Sequence, residues 1–198
     1  MNICQIAGFL GAGKTTLMIQ IGKSLGEAGT KVAIIVNEIG EIGVDGALID
    51  AYGIPATEIT QGCICCTLSG SLQNTLRILE KEYKPDVILI EPTGIALPSK
   101  INFLIRTSMV QVDRNIIVAI VDAYRADGLF QQTKSFFSRQ ISGANAVAIN
   151  KVDLIDNGKL AEVEGLVKEL EPEARIFHIS AKKGKGVEEL MDYIKIRE

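Results

Sequence analysis

The chain has 198 residues, of which 47% are hydrophobic and 23% charged, and its formal net charge is −3. A chain of this length fits one compact domain, 1–198, with a sizeable core, and its ordinary hydrophobic share excludes disorder as its default state. Slight acidity excludes the overall basic field that draws proteins to nucleic acid or anionic membranes, and no apolar run approaches the roughly 18 residues needed to span a bilayer.

The N-terminus runs directly into an apolar segment, with no basic region, h-region or cleavage site, so the cytoplasm is the expected compartment. Apolar runs at 3–7, 32–36, 87–90, 116–121, 146–149 and 176–179 have strand length. They are mostly apolar at consecutive positions, the pattern of strands covered on both faces. Helical spacing fills the intervals, as in Leu17, Ile21, Leu25 and Ala28, in Val163, Val167 and Leu170, and in Val187, Leu190, Met191 and Ile194. Alternating strand and helix predicts right-handed βαβ crossovers and an α/β fold: a three-layer sandwich around a mostly parallel sheet, with ligands at the carboxyl ends of the strands. Asp156-Asn157-Gly158 and Glu171-Pro172 read as turns flanking a helix.

The first strand leads into Gly8-Phe9-Leu10-Gly11-Ala12-Gly13-Lys14-Thr15, which satisfies the P-loop pattern between a predicted strand and a predicted helix. Its glycines let backbone N–H groups converge on phosphate oxygens, and the helix adds its positive N-terminal end. Lys14 is expected to point into an open phosphate site and reach the β and γ phosphates. Thr15 presents a hydroxyl to Mg²⁺, and Thr16 is placed for the α-phosphate.

Gly62-Cys63-Ile64-Cys65-Cys66 packs three thiols into four residues. Thiolates are soft ligands for Zn²⁺, Cu(I) or related ions, and three leave a tetrahedral ion one ligand short. Water, Glu38, Glu41 or a partner's ligand would complete the shell; a redox pair or inert buried cysteines are the alternatives. Cys4 reads as a small core residue. Farther along, the run 87–90 ends in Glu91, a carboxylate aimed at the strand tips where Mg²⁺ would sit, as in a Walker B element. In the following Pro92-Thr93-Gly94 the Gly94 N–H can approach a γ-phosphate. A charged strand end before an ordinary loop is the plainer alternative.

Asn150-Lys151-Val152-Asp153 follows a predicted strand, as a guanine-specificity motif does. The Asp153 carboxylate would accept both guanine N1–H and N2–H, a donor pair adenine lacks; Lys151 would cover the base plane with its stem, and Asn150 would tie neighbouring loops together. Ser180-Ala181-Lys182, after the last strand, is the companion loop whose backbone N–H addresses guanine O6. Two polar turns of an ATPase are the competing reading. Lys182, Lys183 and Lys185 form a basic cluster that either serves the nucleotide or is a solvated turn. His178, placed in a buried strand, reads as structural.

Together, the Gly8-to-Thr16 loop, Asn37-Glu38-Ile39-Gly40-Glu41-Ile42-Gly43-Val44-Asp45-Gly46, Cys63-Ile64-Cys65-Cys66 and Glu91-Pro92-Thr93-Gly94 resemble the CobW group of GTPases. These are relatives of the nickel-insertion GTPases of hydrogenase and urease and of the chaperone of methylmalonyl-CoA mutase, P-loop NTPases of the SIMIBI type. The resemblance implies a slow metal-handling GTPase that binds GTP or GDP with Mg²⁺. In it Thr15 and Glu91 form the Mg²⁺ shell, and Lys14, Glu91 and Gly94 act on the phosphates. Cys63, Cys65 and Cys66, with Glu38, hold Zn²⁺ or Co²⁺, the 37–46 segment responds to the γ-phosphate, and hydrolysis releases the ion to a client metalloprotein or cofactor-maturation partner. No glutamine or arginine finger is legible, so a partner or GTP-dependent homodimerisation is expected to assist turnover. Nucleic acid and membrane are not expected partners. Many members continue into a C-terminal domain with His-rich stretches; with one histidine, this chain is expected to be a single GTPase domain without it. A regulatory or redox-sensing NTPase with structural or oxidisable cysteines is the alternative.

Overall fold

The computed structural model describes residues 1–36 and 68–195. The readings placed on 37–46, including Glu38 and Glu41, and on Cys63, Cys65 and Cys66 lie outside the described residues. Six described strands, β1 (Asn2–Gly8), β2 (Val32–Val36), β3 (Val87–Glu91), β4 (Arg114–Asp122), β5 (Ala146–Asn150) and β6 (Arg175–Ile179), form one sheet in the order β2-β3-β1-β4-β5-β6. Every pairing between them is parallel. The apolar runs mark all six, each extended by no more than two residues at an end, because the polar terminal residues pair in the ladder without changing the apolar pattern.

The helices are α1 (Lys14–Glu27), α2 (Leu68–Ile78), α3 (Pro98–Thr107), α4 (Ala126–Ile141), α5 (Asn157–Leu170) and α6 (Val187–Lys195). Alternate residues of each strand face opposite layers. Cys4 and Ile6 of β1, Val118 and Ile120 of β4 and Ala148 of β5 pack against Leu17 and Ile21 of α1 and Leu190 and Ile194 of α6 in one continuous core. The other face carries two cores. Ile3, Ile35, Ile88 and Ile90 pack under α2 and α3, while Ala119, Val121, Val147 and Ile149 pack under α4 and α5. Each fully buried aliphatic side chain contributes about 1.5 to 3 kcal/mol against exposure, which makes the sheet the rigid element from which loops project. The three-layer α/β sandwich expected from the sequence is thus the observed fold.

Local signals explain the helix ends. Pro98 opens α3, where its missing N–H costs nothing. Asp156 accepts from the Lys159 N–H at 2.8 Å, so Asp156-Asn157-Gly158 is the N-cap and first turn of α5 rather than a turn outside it. In α4 the backbone leaves helical geometry at Thr133 (φ −136, ψ 37), whose hydroxyl donates to Leu129 O at 2.6 Å; α4 is therefore two helical pieces across a kink. Two burial readings have different outcomes. Cys4 is enclosed in the core, and burial pushes its thiol up to about 12. His178 lies on the outermost described strand with an exposed side chain, its Nε2 3.0 Å from a carboxylate oxygen of Glu164 on α5, at the rim of the α5 layer. Among the described residues no helix is long and apolar enough to cross a membrane.

Candidate nucleotide site

Parallel register aligns the carboxyl ends of the strands. Glu91 pairs with Val36, Gly8 with Ile120, and Asp122 with Asn150, so the polar residues that close β3, β4 and β5 meet at one edge of the sheet. The connection after β1 leaves toward α1 on one face, whereas those after β3 and β4 leave toward α3 and α4 on the other. Such a divergence opens a crevice at the strand tips.

Gly8, Gly11, Ala12 and Gly13 form the turn from β1 into α1. Gly13 caps the helix in the left-handed region (φ 102), and no side chain caps it, which leaves the first-turn N–H groups for an anion. Lys14 follows. Contrary to the expectation of an open projection, it is 5% exposed. Its Nζ donates to Phe9 O at 3.3 Å and stands 3.9 Å from Glu91 Oε1, held by the curl of its own loop and by the buried carboxylate. The Thr15 hydroxyl donates to that same Glu91 oxygen at 3.0 Å. Thr16 is exposed one residue on.

The fold brings Gly94 against the loop. A Cβ at Gly94 would lie 2.8 Å from Leu10 N, so only glycine allows this approach. Asn150 links the two remaining loops: its amide donates to Ala12 O at 2.7 Å and its Oδ1 accepts from Ala181 N–H at 2.9 Å. Gln20 of α1 secures that far loop by donating to Ala181 O. Asp153 stands beside Ser180, whose hydroxyl, with the Lys183 ammonium, holds the carboxyl below its ordinary value. Lys183 Nζ lies 3.2 Å from Asp153 Oδ2, which draws one lysine of the basic cluster to the motif, while Lys182 and Lys185 are exposed.

Lys151 has a left-handed backbone (φ 66) and donates to Gly11 O at 2.8 Å and to Asp122 Oδ2 at 2.7 Å. Asp122, 2% exposed, also accepts from Arg125 Nε at 2.7 Å, and Arg125 reaches Leu10 O at 2.8 Å. A buried carboxylate with two cationic donors therefore holds the consecutive Leu10 and Gly11 carbonyls of the phosphate loop. Sequence reading overlooked this group. Asp122 closes an apolar strand as Glu91 does, and the same rule applied to β4 finds it; nothing local marks Arg125 or Gln20.

A family model for the CobW/HypB/UreG nucleotide-binding domain matches residues 2–178. The chain is 35% identical to the zinc chaperone CobW of Sinorhizobium sp over 80% of this chain and 52% of that protein. It is 30% identical to zinc-regulated GTPase metalloprotein activator 1 of Dictyostelium discoideum over 89% of this chain and 45% of that one. The chain thus spans about half the length of these curated relatives. Among solved structures it is similar to the hydrogenase maturation factor HypB of Archaeoglobus fulgidus, with TM-score 0.71 and 23% identity over 98% of this chain and 89% of that one. It is also similar to the Zn(II)-bound YjiA GTPase of E. coli, with TM-score 0.60 and 26% identity over 89% and 57% of the respective chains.

Proposed function

This chain belongs to the CobW/HypB/UreG nucleotide-binding family, and from that membership we propose a GTPase that couples its nucleotide state to the handling of a Zn²⁺- or Co²⁺-type ion for a client metalloprotein or cofactor-maturation partner. The observation that carries the nucleotide part is the Asn150 amide, which joins the phosphate loop at Ala12 to the Ser180-Ala181 loop and so holds phosphate and base sites at a set spacing.

The Gly8, Gly11, Ala12 and Gly13 backbone receives the phosphates, Lys14 neutralises developing charge on the β and γ oxygens, and Thr16 bonds the α-phosphate. Thr15 and Glu91 fit Mg²⁺: both offer hard oxygen donors, and their 3.0 Å separation suits neighbouring ligands of an octahedral ion, which stand about 3 Å apart. Mg²⁺, when bound, supplies positive charge to the β and γ phosphate oxygens. The Gly94 N–H addresses the γ-phosphate. At the other end Asp153 accepts the guanine N1–H and N2–H, Lys151 flanks the base, and the Ala181 N–H and Lys182 complete the pocket.

The Asp153 carboxyl, held below its ordinary value by the Ser180 hydroxyl and the Lys183 ammonium, is an anionic acceptor for the base edge. Asp153→Asn exchanges one acceptor for a donor. It should weaken GTP binding by about 2 kcal/mol, roughly 30-fold, and raise affinity for xanthine nucleotides, whose base offers the complementary edge. Competition binding of GTP against XTP checks this; an unchanged preference for guanine would remove Asp153 from the base site.

The metal cargo is assigned to Cys63, Cys65 and Cys66 with Glu38, on the donor chemistry of three thiolates in four residues. A response of the 37–46 segment to the γ-phosphate that brings Glu38 to the thiolates couples the two sites, and homodimerisation is a route to faster turnover. Allosteric coupling of ordinary size makes Co²⁺ affinity about 5- to 150-fold higher with a non-hydrolysable GTP analogue than with GDP. Thiolate charge-transfer absorption measures it. Equal affinities overturn the coupling, and absorption that survives Cys65→Ser with Cys66→Ser moves the metal elsewhere.

A further inference from the structure

Helix α4 contains a polar residue that its surroundings do not ask for. Gln140 lies between Phe137 and the C-terminal Ile141, both in the apolar core beneath α4, and is itself 1% exposed. Burying an amide is costly unless its hydrogen bonds are met, and a leucine would suit this neighbourhood better. Both amide hydrogens are met from outside the helix: Nε2 donates to Gly94 O at 3.2 Å and to Ala96 O at 3.1 Å. Oε1 has no hydrogen-bond partner among the described residues, so the two carbonyls alone orient the group.

Those carbonyls flank Ile95 in the turn that Ala96 N–H closes onto Thr93 O at 2.9 Å. The same helical piece touches the phosphate loop. Phe136 and Phe137 pack on Phe9, with ring centroids at 5.3 and 5.6 Å. Residues one turn apart on the short segment after the Thr133 kink thus hold Phe9 of the phosphate loop and the backbone around Gly94. With Gly94 abutting Leu10, this piece of helix contacts both loops where they meet.

We propose that Gln140 is a positioning residue that fixes the Gly94 loop against the phosphate loop, so that the Gly94 N–H is preorganised for the third phosphate of a nucleoside triphosphate. The assignment rests on the functional reading above and deepens it. A diphosphate reaches only the phosphate loop, so losing Gln140 should discriminate between the two nucleotides, whereas a merely structural residue would affect both.

The test is Gln140→Met, which keeps length and apolar bulk but removes both donors. With Mg²⁺ present, affinity for a non-hydrolysable GTP analogue should fall about 10- to 30-fold, up to the full worth of two ordinary hydrogen bonds, GTP turnover should fall with it, and GDP affinity should stay within twofold. Equal losses for both nucleotides, or no loss for either, overturn the assignment. If the methionine protein does not fold, Gln140→Asn, one methylene too short to span both carbonyls, is measured for the same analogue-to-GDP ratio with the same criteria. Wild-type protein that neither binds the analogue nor turns over GTP defeats the functional reading, and this assignment falls with it. Wild-type activity matched by the variant defeats the assignment alone.

Discussion

A Gly13→Ala protein should bind neither GTP nor GDP measurably and should melt about 5 to 15 °C below the parent. Gly13 holds φ 102, and a Cβ there would lie 2.3 Å from the Asn150 amide nitrogen. A flexible neighbour would swing away, but this one is buried and committed at both ends, to Ala12 O at 2.7 Å and to the Ala181 N–H at 2.9 Å. Backbone strain of about 1 to 3 kcal/mol adds to the loss of a buried hydrogen bond at about 1 kcal/mol, for a total of about 2 to 4. For a domain of this size each kcal/mol moves the midpoint about 2 to 4 °C. Calorimetry and nucleotide titration read the two effects. The control is Gly26→Ala on the same helix, where an added Cβ meets nothing within 4 Å and a small gain in stability follows from helix propensity. Nucleotide affinity unchanged in Gly13→Ala would show that the Asn150 bridge does not govern the site.

Lys14→Ala should reduce GTP turnover by at least about 100- to 1,000-fold while circular dichroism stays that of the folded protein. Removing a charge that acts on the γ-phosphate in the transition state costs at least as much as losing an oxyanion donor, about 2.7 to 4 kcal/mol. The enclosed position of Lys14 adds a consequence that an open lysine would not have. Its ammonium stands 3.9 Å from Glu91, so the substitution also takes a cation from a buried carboxylate and should lower the melting point modestly. Lys14→Met keeps the packing of the stem and drops the charge, so a loss of turnover shared by both variants belongs to the ammonium and not to a cavity left by the stem. Undiminished turnover in either folded protein would exclude Lys14 from the chemistry.

The sequence by itself determined the strands, the glycine turn into α1 and the tie that Asn150 makes between neighbouring loops, and the reason is that each is encoded within a few adjacent residues. Consecutive apolar residues specify a strand covered on both faces, and a left-handed helix cap at Gly13 requires glycine whatever lies elsewhere in the chain. Asn150 and Glu91 were legible because each directly ends an apolar run. Lys14 was legible as a residue but not in its enclosed position, which depends on Glu91 arriving from β3. The order of strands was decided only in three dimensions. Setting β4 beside β1 brings Asp122 and Arg125 to the phosphate loop, the latter across 115 positions of sequence. The helix that connects β4 to β5 puts Gln140 under Gly94, 46 positions earlier. His178 shows the same dependence in reverse: an apolar run implied burial, but the outermost place of β6 left the His178 side chain exposed. Backbone conformation and periodicity are local properties, whereas a side chain's partner is set by which strands become neighbours, and that is a property of the whole sheet.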